Sequence, residues 1–212
     1  MIVGISGSPK KERSNTRFLL EKALAAASEL LQTVATAEST TLQLNLVDFE
    51  IRRCTGCDAC VRKKPCPESA HDDMTQLEEK VLLADGIIIA APSYFTSVPG
   101  VLKDFIDRSR TMKMLDHQLK DKVFGAITYA GLRYGGQEHV VDVLNRYALG
   151  QGMIVVGAVG SPVEHGTFGS GSMQTDEGEW RSAKADVLAI DASEELGRRV
   201  AGLVIKTSKS EG

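Results

Sequence analysis

Four cysteines carry the most chemical potential in this chain. Cys54, Cys57, Cys60 and Cys66 are the only ones among its 212 residues. They read Cys54-Thr55-Gly56-Cys57-Asp58-Ala59-Cys60 and then Cys66-Pro67, a C-x₂-C-x₂-C-x₅-C-P run. A near relative, C-x₂-C-x₂-C-x₃-C-P, wraps iron–sulfur cubanes, because close spacing lets one loop give a thiolate to each iron. Two rival chemistries stay open. Structural zinc usually draws its ligands from two separated pairs, whereas three cysteines here stand at steps of three. A redox C-x-x-C pair would leave two thiols unexplained. Clustered cysteines in a reducing compartment point to metal or redox chemistry more than to structural disulfides.

Arg52, Arg53, Arg62, Lys63 and Lys64 flank the run, although the chain as a whole carries a formal charge of −3. Four thiolates outweigh the charge of a cubane core, and cations nearby stabilise the excess. A basic rim would also raise the cluster potential and attract an acidic redox carrier such as ferredoxin. The plain alternative is a solvated basic loop.

Three further segments have ligand-binding character. Gly7-Ser8-Pro9-Lys10-Lys11-Glu12-Arg13-Ser14-Asn15-Thr16 lacks both G-x-G-x-x-G and a GK[ST] ending, which argues against a nucleotide triphosphate. It is rich in hydroxyls and runs into a helix N-terminus, where free N–H groups and the dipole favour an anion. Ser8, Ser14, Asn15 and Thr16 can donate to a phosphate, with Lys10 or Arg13 adding charge; the alternative is an ordinary capped loop. Pro92-Ser93-Tyr94-Phe95-Thr96-Ser97-Val98-Pro99-Gly100 sets two aromatics among small polar groups. Such a loop can wrap a planar ring, with Tyr94 or Phe95 packed nearby, or its aromatics can cap the core. Gly131-Leu132-Arg133-Tyr134-Gly135-Gly136 permits close backbone approach.

The elements around these segments follow from apolar patterning. Strands are expected at 2–6, 41–47, 86–92, 123–129 and 153–159, and helices at 15–36, 74–84, 101–111, 137–149 and 183–206. Asp72 or Asp73 would cap the second helix. Uniformly apolar strands alternating with helices specify a parallel sheet covered on both faces. Ligands of such sheets bind beyond the carboxyl ends of the strands. The segments after strands one to four all fall there, so one edge gathers them. Residues 160–178 read as a long irregular surface loop, and the 212 residues as a single domain.

Composition excludes other classes. Hydrophobic residues at 42% and charged residues at 25% describe a globular chain, neither disordered nor fibrous. The slight acidity offers nothing to nucleic acid. No apolar run approaches the ~18 residues of a membrane span, and the first residues lack signal-peptide character, so a cytoplasmic protein is expected. His71, His117, His139 and His165 show no metal-ligand spacing and read as surface or capping residues. Trp180 and Phe168 flank the irregular loop and are expected to anchor it. No Ser-His-Asp set is present.

Together these segments resemble the NAD(P)H-dependent FMN reductase group of the flavodoxin-like fold. The resemblance rests on Gly7-Ser8-Pro9 with Ser14-Asn15-Thr16, on Ala84-Asp85-Gly86 leading to Pro92-Ser93-Tyr94, on Val98-Pro99-Gly100 with Leu102-Lys103, and on Gly135-Gly136-Gln137-Glu138. It implies a doubly wound α/β fold, with a five-stranded parallel sheet ordered 2-1-3-4-5 and the cysteine segment inserted after strand 2. It also implies FMN without the adenine half of FAD. Ser8, Lys10, Ser14, Asn15 and Thr16 would hold its phosphate. Pro92, Ser93, Tyr94, Phe95, Thr96 and Ser97, with Gly131, Gly135 and Gly136, would hold its isoalloxazine. With the cysteine run added, the chain is similar to the iron–sulfur flavoproteins of anaerobes and archaea. That implies a [4Fe–4S] cluster on Cys54, Cys57, Cys60 and Cys66 beside FMN, in a homodimer or homotetramer.

The expected function is electron transfer between a reduced donor, ferredoxin or NAD(P)H, and an acceptor. The alternatives are a cluster-free NAD(P)H-dependent FMN or quinone reductase, and a redox carrier or sensor without turnover.

Overall fold

The structure is a computed structural model that describes residues 1–34, 40–161 and 166–208. β1 (Ile2–Ser6) is buried along its whole length, and its apolar run ends where the Gly7 N–H donates to the Ala90 carbonyl (2.8 Å). α1 (Asn15–Val34) starts beneath Ser14, whose hydroxyl accepts the Arg17 N–H at 3.2 Å in an N-cap bond. β2 (Thr41–Asn45) stops earlier than its apolar pattern suggests, because Leu46–Asp48 turns into a 3-10 helix. Then come α2 (Met74–Leu82), β3 (Gly86–Pro92), α3 (Gly100–Arg108), α4 (Arg110–Met114), β4 (Val123–Ala130), α5 (Gln137–Gln151), β5 (Ile154–Val156), β6 (Gly169–Ser172) and α6 (Val187–Ser208).

The strands are parallel in the order β2-β1-β3-β4-β5, as expected. The count of five is corrected to six. β5 pairs only with the first part of β4, Val123–Gly125, and β6 takes up the same strand from Ile127 to Ala130. Part of the expected irregular loop is therefore sheet. Its Gly-Ser-Gly-Ser sequence has no apolar pattern by which a strand can be recognised.

Side chains alternate between two cores. Ile2, Ile88, Val123 and Ile127 pack beneath α1 and α6, while Val3, Ile5, Ile87, Ile89 and Phe124 pack beneath α2, α3, α4 and α5. Each fully buried aliphatic or aromatic side chain contributes roughly 1.5–3 kcal/mol. Gly4, Ile88 and Gly125 form one row across β1, β3 and β4. A Cβ on Gly4 would lie 2.6 Å from Leu24 of α1, and one on Gly125 would lie 3.1 Å from Leu196 of α6. The two helices also meet each other at Gly197, where a Cβ would stand 2.0 Å from the Ala23 carbonyl oxygen.

The helix expected over 101–111 is two helices. Ser109 interrupts it, donating its hydroxyl to the Ile106 carbonyl (2.7 Å) and accepting from Tyr147 (3.1 Å) and Gln151 (3.0 Å). A serine bonded to nearby backbone competes with the helical ladder. Among the described residues, no helix is long and apolar enough to cross a membrane.

Candidate functional site

The cysteine segment is a loop whose shape comes from a few left-handed residues and short turns. Gly56 sits at φ +67°, Asp58 at +54° and Lys63 at +56°. Glycine takes that region freely and aspartate tolerates it. After Cys60 the chain closes on itself, with Lys63 N–H to the Cys60 carbonyl (3.0 Å) and Lys64 N–H to the Ala59 carbonyl (2.9 Å). Pro67 then opens a 3-10 turn over Pro67–Ala70. The fold brings all four cysteines to the wall of one cavity, which also takes in Asp107, Arg108, Arg110 and Thr111. Cys54 and Cys57 are exposed and Cys60 and Cys66 half-buried. The thiols surround this space without converging, and no three His, Cys, Asp or Glu side chains among the described residues form a single-ion site.

Two guanidiniums border the cavity. Arg110 Nη1 donates to Asp58 Oδ1 (2.8 Å), and its pKa is raised by Asp58, with the charges of Cys60 and Cys54 adding to it. Arg108 has a side chain 1% exposed, in an ion pair with Asp72, whose side chain is 0% exposed. Arg108 also donates to the Arg52 carbonyl (2.9 Å) and to Ser69 Oγ (3.0 Å). Asp72 in turn accepts the N–H groups of Arg52 (3.0 Å) and Met74 (3.1 Å). This pair thus clamps both ends of the cysteine segment to α3. Burial alone would raise the pKa of Asp72, but Arg108 and the two N–H donors outweigh it and hold the carboxyl low. Burial would likewise lower Arg108, and Asp72 and Cys66 overcome it. Glu78, which accepts from the Thr111 hydroxyl, is pushed up by burial.

Neither guanidinium was expected from sequence. An arginine inside a helix reads as ordinary surface, and Asp72 as a cap. Asp73 stands at the N-cap position without a side-chain cap bond, and Asp72 supplies the bond to Met74. Of the expected basic rim, Arg62 donates to the Cys57 carbonyl (2.8 Å), and Arg52 lies near Glu50 (3.7 Å) and Glu68 (3.8 Å). Arg53, Lys63 and Lys64 are exposed, without an ion pair among the described residues.

A second cavity, about 560 Å³ with its open mouth, lies beyond β1, β3 and β4. Ser8, Lys10, Ser14, Asn15 and Thr16 line one side, Pro92, Ser93 and Tyr94 another, and Gly131 a third. Tyr129, Ala130 and Met173 complete it and were not expected. Ser8 and Thr16 are buried, and Ser14 Oγ lies 3.2 Å from Thr16 Oγ1. Arg17 braces this loop from outside by donating to the carbonyls of Lys10 (2.7 Å) and Lys11 (2.6 Å). Asn15 Oδ1 accepts the Ala183 N–H (3.1 Å), so that oxygen is already engaged.

Phe95, Thr96, Ser97, Gly135 and Gly136 stand outside the lining. Phe95 (φ +49°) and Thr96 (φ +62°) are the central residues of a tight turn closed by paired bonds between Tyr94 and Ser97. Two successive positive φ values are the mark of a type I′ turn. Phe95 is consequently fully exposed. Gly136 (φ +82°) packs so closely on Thr96 that a Cβ would fall 2.5 Å from it, and Ser93 Oγ donates to the Gly135 carbonyl. These residues tie the third and fourth loops together. Behind the cavity floor, the Tyr129 hydroxyl donates to the Ser172 carbonyl (2.8 Å) and to Asp186 (3.2 Å), which also holds Arg181 (2.8 Å). Burial, with Asp186, raises the Tyr129 pKa far above the ordinary phenol.

His71, His117 and His139 are exposed, and His165 lies outside the described residues. Trp180 and Phe168 are both exposed, Trp180 bridging to Gln174.

The family model for NADPH-dependent FMN reductase matches residues 1–167. An iron–sulfur flavoprotein of Archaeoglobus fulgidus is 42% identical over 199 residues, covering 94% of this chain and 92% of the relative. The chain belongs to the iron–sulfur flavoprotein family, within the NADPH-dependent FMN reductases. It is an FMN-dependent oxidoreductase. A second family member, from Methanocaldococcus jannaschii, is 34% identical over 203 residues and covers 96% of each chain. Among solved structures, the WrbA-like flavodoxin of Agrobacterium tumefaciens superposes with a TM-score of 0.60 at 16% identity, over 97% of this chain and 96% of that one. That similarity bears on the fold, which is flavodoxin-like.

Proposed function

We propose that this iron–sulfur flavoprotein passes electrons between a reduced donor, ferredoxin-like or NAD(P)H, and an acceptor. In this reading FMN occupies the 560 Å³ cavity and a [4Fe–4S] cluster occupies the thiol cavity, with the chain acting as one cytoplasmic FMN-binding unit. The observation that carries it is the gathering of Cys54, Cys57, Cys60 and Cys66 around one space bordered by Arg108 and Arg110. The donor set fits. Four thiolates leave net negative charge, and two guanidiniums stand where counter-charge is needed.

When bound, FMN accepts an electron pair and a cluster handles single electrons, so the two together convert between both currencies. The residues of the chain bind and orient. Ser8, Ser14 and Thr16 offer hydroxyls, and Lys10 a charge, to the phosphate. Pro92, Ser93, Tyr94 and Gly131 form the wall for the planar ring, with Tyr129 and Met173 closing its floor. Tyr129 keeps its proton at all ordinary pH, since its pKa is raised and its hydroxyl is engaged as a donor. Exposed Phe95, Tyr134 and Trp180 support burial of this rim in a homodimer or homotetramer.

Anaerobic purification with iron, acid-labile sulfide and flavin counts tests the reading. Four irons and four sulfides per FMN are expected. Stoichiometric zinc, or flavin with neither iron nor sulfide, overturns it in favour of a cluster-free reductase.

A further inference from the structure

Arg108 heads the largest side chains enclosed among the described residues, and its environment is unusually complete on one side. A guanidinium has five N–H donors. Those on Nη1 serve the Arg52 carbonyl and Asp72, and those on Nη2 serve Ser69 and Asp72. The fifth, on Nε, is buried and reaches no oxygen or nitrogen acceptor in the chain, while the Cys66 thiol lies beside the guanidinium on the same cavity wall. A buried donor left without an acceptor is costly, and native proteins rarely leave one so without reason. Arg108 borders the thiol cavity, whereas Asp72 does not. The ion pair therefore presents its positive end to the thiols.

We propose that Arg108 sets the reduction potential of the cluster, through its spare N–H on sulfur at the Cys66 side and through a fixed positive charge. This rests on the iron–sulfur reading. Reduction adds one electron to the cluster, breaks no bond and moves no proton, because the guanidinium stays protonated throughout. The added charge is stabilised by Arg108 more than by Lys63 or Lys64. Those lysines are exposed and screened by salt, while a buried charge is screened little. Hydrogen bonds to the sulfurs raise cluster potentials in the same direction. Asp72 acts oppositely, as the negative charge behind the guanidinium.

The test is an anaerobic redox titration with dithionite as reductant, followed by EPR, on wild type, Arg108→Gln, Arg108→Lys and Asp72→Asn. Arg108→Gln should shift the cluster to lower potential, by about tenfold or more in the reduced-to-oxidised ratio, which is 59 mV for one electron. Arg108→Lys should shift it less, and Asp72→Asn should shift it upward. All shifts should persist at high salt, and the FMN potential should stay fixed. Loosening of the loop alone would move both charge variants the same way. If Arg108→Gln loses its iron, the sign for Asp72→Asn decides: upward supports the role, and unchanged or downward overturns it. Iron and sulfide in the wild type separate the two failures. If they are absent, the cluster reading falls; if they are present with unmoved potentials, only the role of Arg108 falls.

Discussion

Arg110 Nη1 lies 2.8 Å from Asp58 Oδ1, joining the start of α4 to the residue that follows Cys57, 52 positions away. Both partners are substantially exposed, so solvent screens the pair and it adds little to stability. What it contributes is placement. Asp58 holds a left-handed φ between two cysteines, and the bridge fixes that residue against the helix that also carries Thr111.

Cys57→Ala removes one thiol from the cavity wall and leaves the second cavity untouched. The broad visible absorption expected of the cluster should vanish while FMN remains. A visible spectrum with iron and flavin counts checks this. An unchanged iron content would remove Cys57 from the ligand set.

Thr16→Val combined with Ser14→Ala deletes the two hydroxyls that the proposed phosphate site would use, each bond to a charged phosphate being worth roughly 1.5–3 kcal/mol before compensation. FMN affinity should fall at least tenfold, while riboflavin affinity changes little. The riboflavin control matters because Ser14 also caps α1 through Arg17. Equal losses for both ligands would put the phosphate elsewhere.

Lys63→Glu with Lys64→Glu should slow electron transfer from an acidic ferredoxin at low salt. The effect should fade as the Debye length falls toward ~3 Å at 1 M. Arg62 is left intact, since it holds the Cys57 carbonyl. Stopped-flow rates against ionic strength give the answer, with a neutral small-molecule donor as the reference. An unaltered low-salt rate leaves those lysines as solvated surface.

Gly197→Ala gains about 1 kcal/mol of helix propensity but drives a methyl into the Ala23 carbonyl, 2.0 Å away. Backbone cannot step aside as a side-chain tip can, so overpacking at ~1–3 kcal/mol or more prevails. Thermal melts should show a lower Tm. A raised Tm would mean that α1 and α6 do not meet as described.

Asp72 also governs acid stability. Its folded pKa lies below the unfolded one, so its contribution is complete above about 3.9 and is lost as pH falls through that value toward the folded pKa. Asp72→Asn, which breaks a buried pair, should cost roughly 3–5 kcal/mol at pH 7, and the deficit should shrink below about pH 4. Glu78 works in the other direction. Its folded pKa is raised, so stability falls as pH rises past the ordinary glutamate value and the group ionises. Glu78→Gln should therefore match wild type in acid and exceed it at neutral pH. Urea midpoints across pH 3–8 measure both.

The strands of the sheet were legible because buried parallel strands are apolar on both faces, as in Gly86–Pro92 and Val123–Ala130. The cavity walls formed by the first and third loops were legible because their hydroxyls and turn residues are local. Other features depend on partners far along the chain. Arg108 and Asp72 are 36 positions apart, and neither alone suggests an enclosed pair. β6 is read from its pairing with β4, not from Gly-Ser-Gly-Ser. Residue type alone suggests that Tyr94 or Phe95 packs near a ring or caps the core, and it says nothing of the turn whose φ values leave Phe95 exposed.

The row of Gly4, Ile88 and Gly125 has an evolutionary consequence. Leu24 and Leu196 occupy the space that side chains on the two glycines would need. A methyl on either glycine would press on the tip of a leucine side chain, which must turn or shift to admit it. Among descendants of this chain, a side chain gained at position 4 is eased by one trimmed at 24, and a gain at 125 by a loss at 196. The two pairs are joined through Ile88, whose bulk lies between them. Five positions spread over three strands and two helices therefore vary best together, and a library that couples them samples well-seated helices more often than one that randomises them separately.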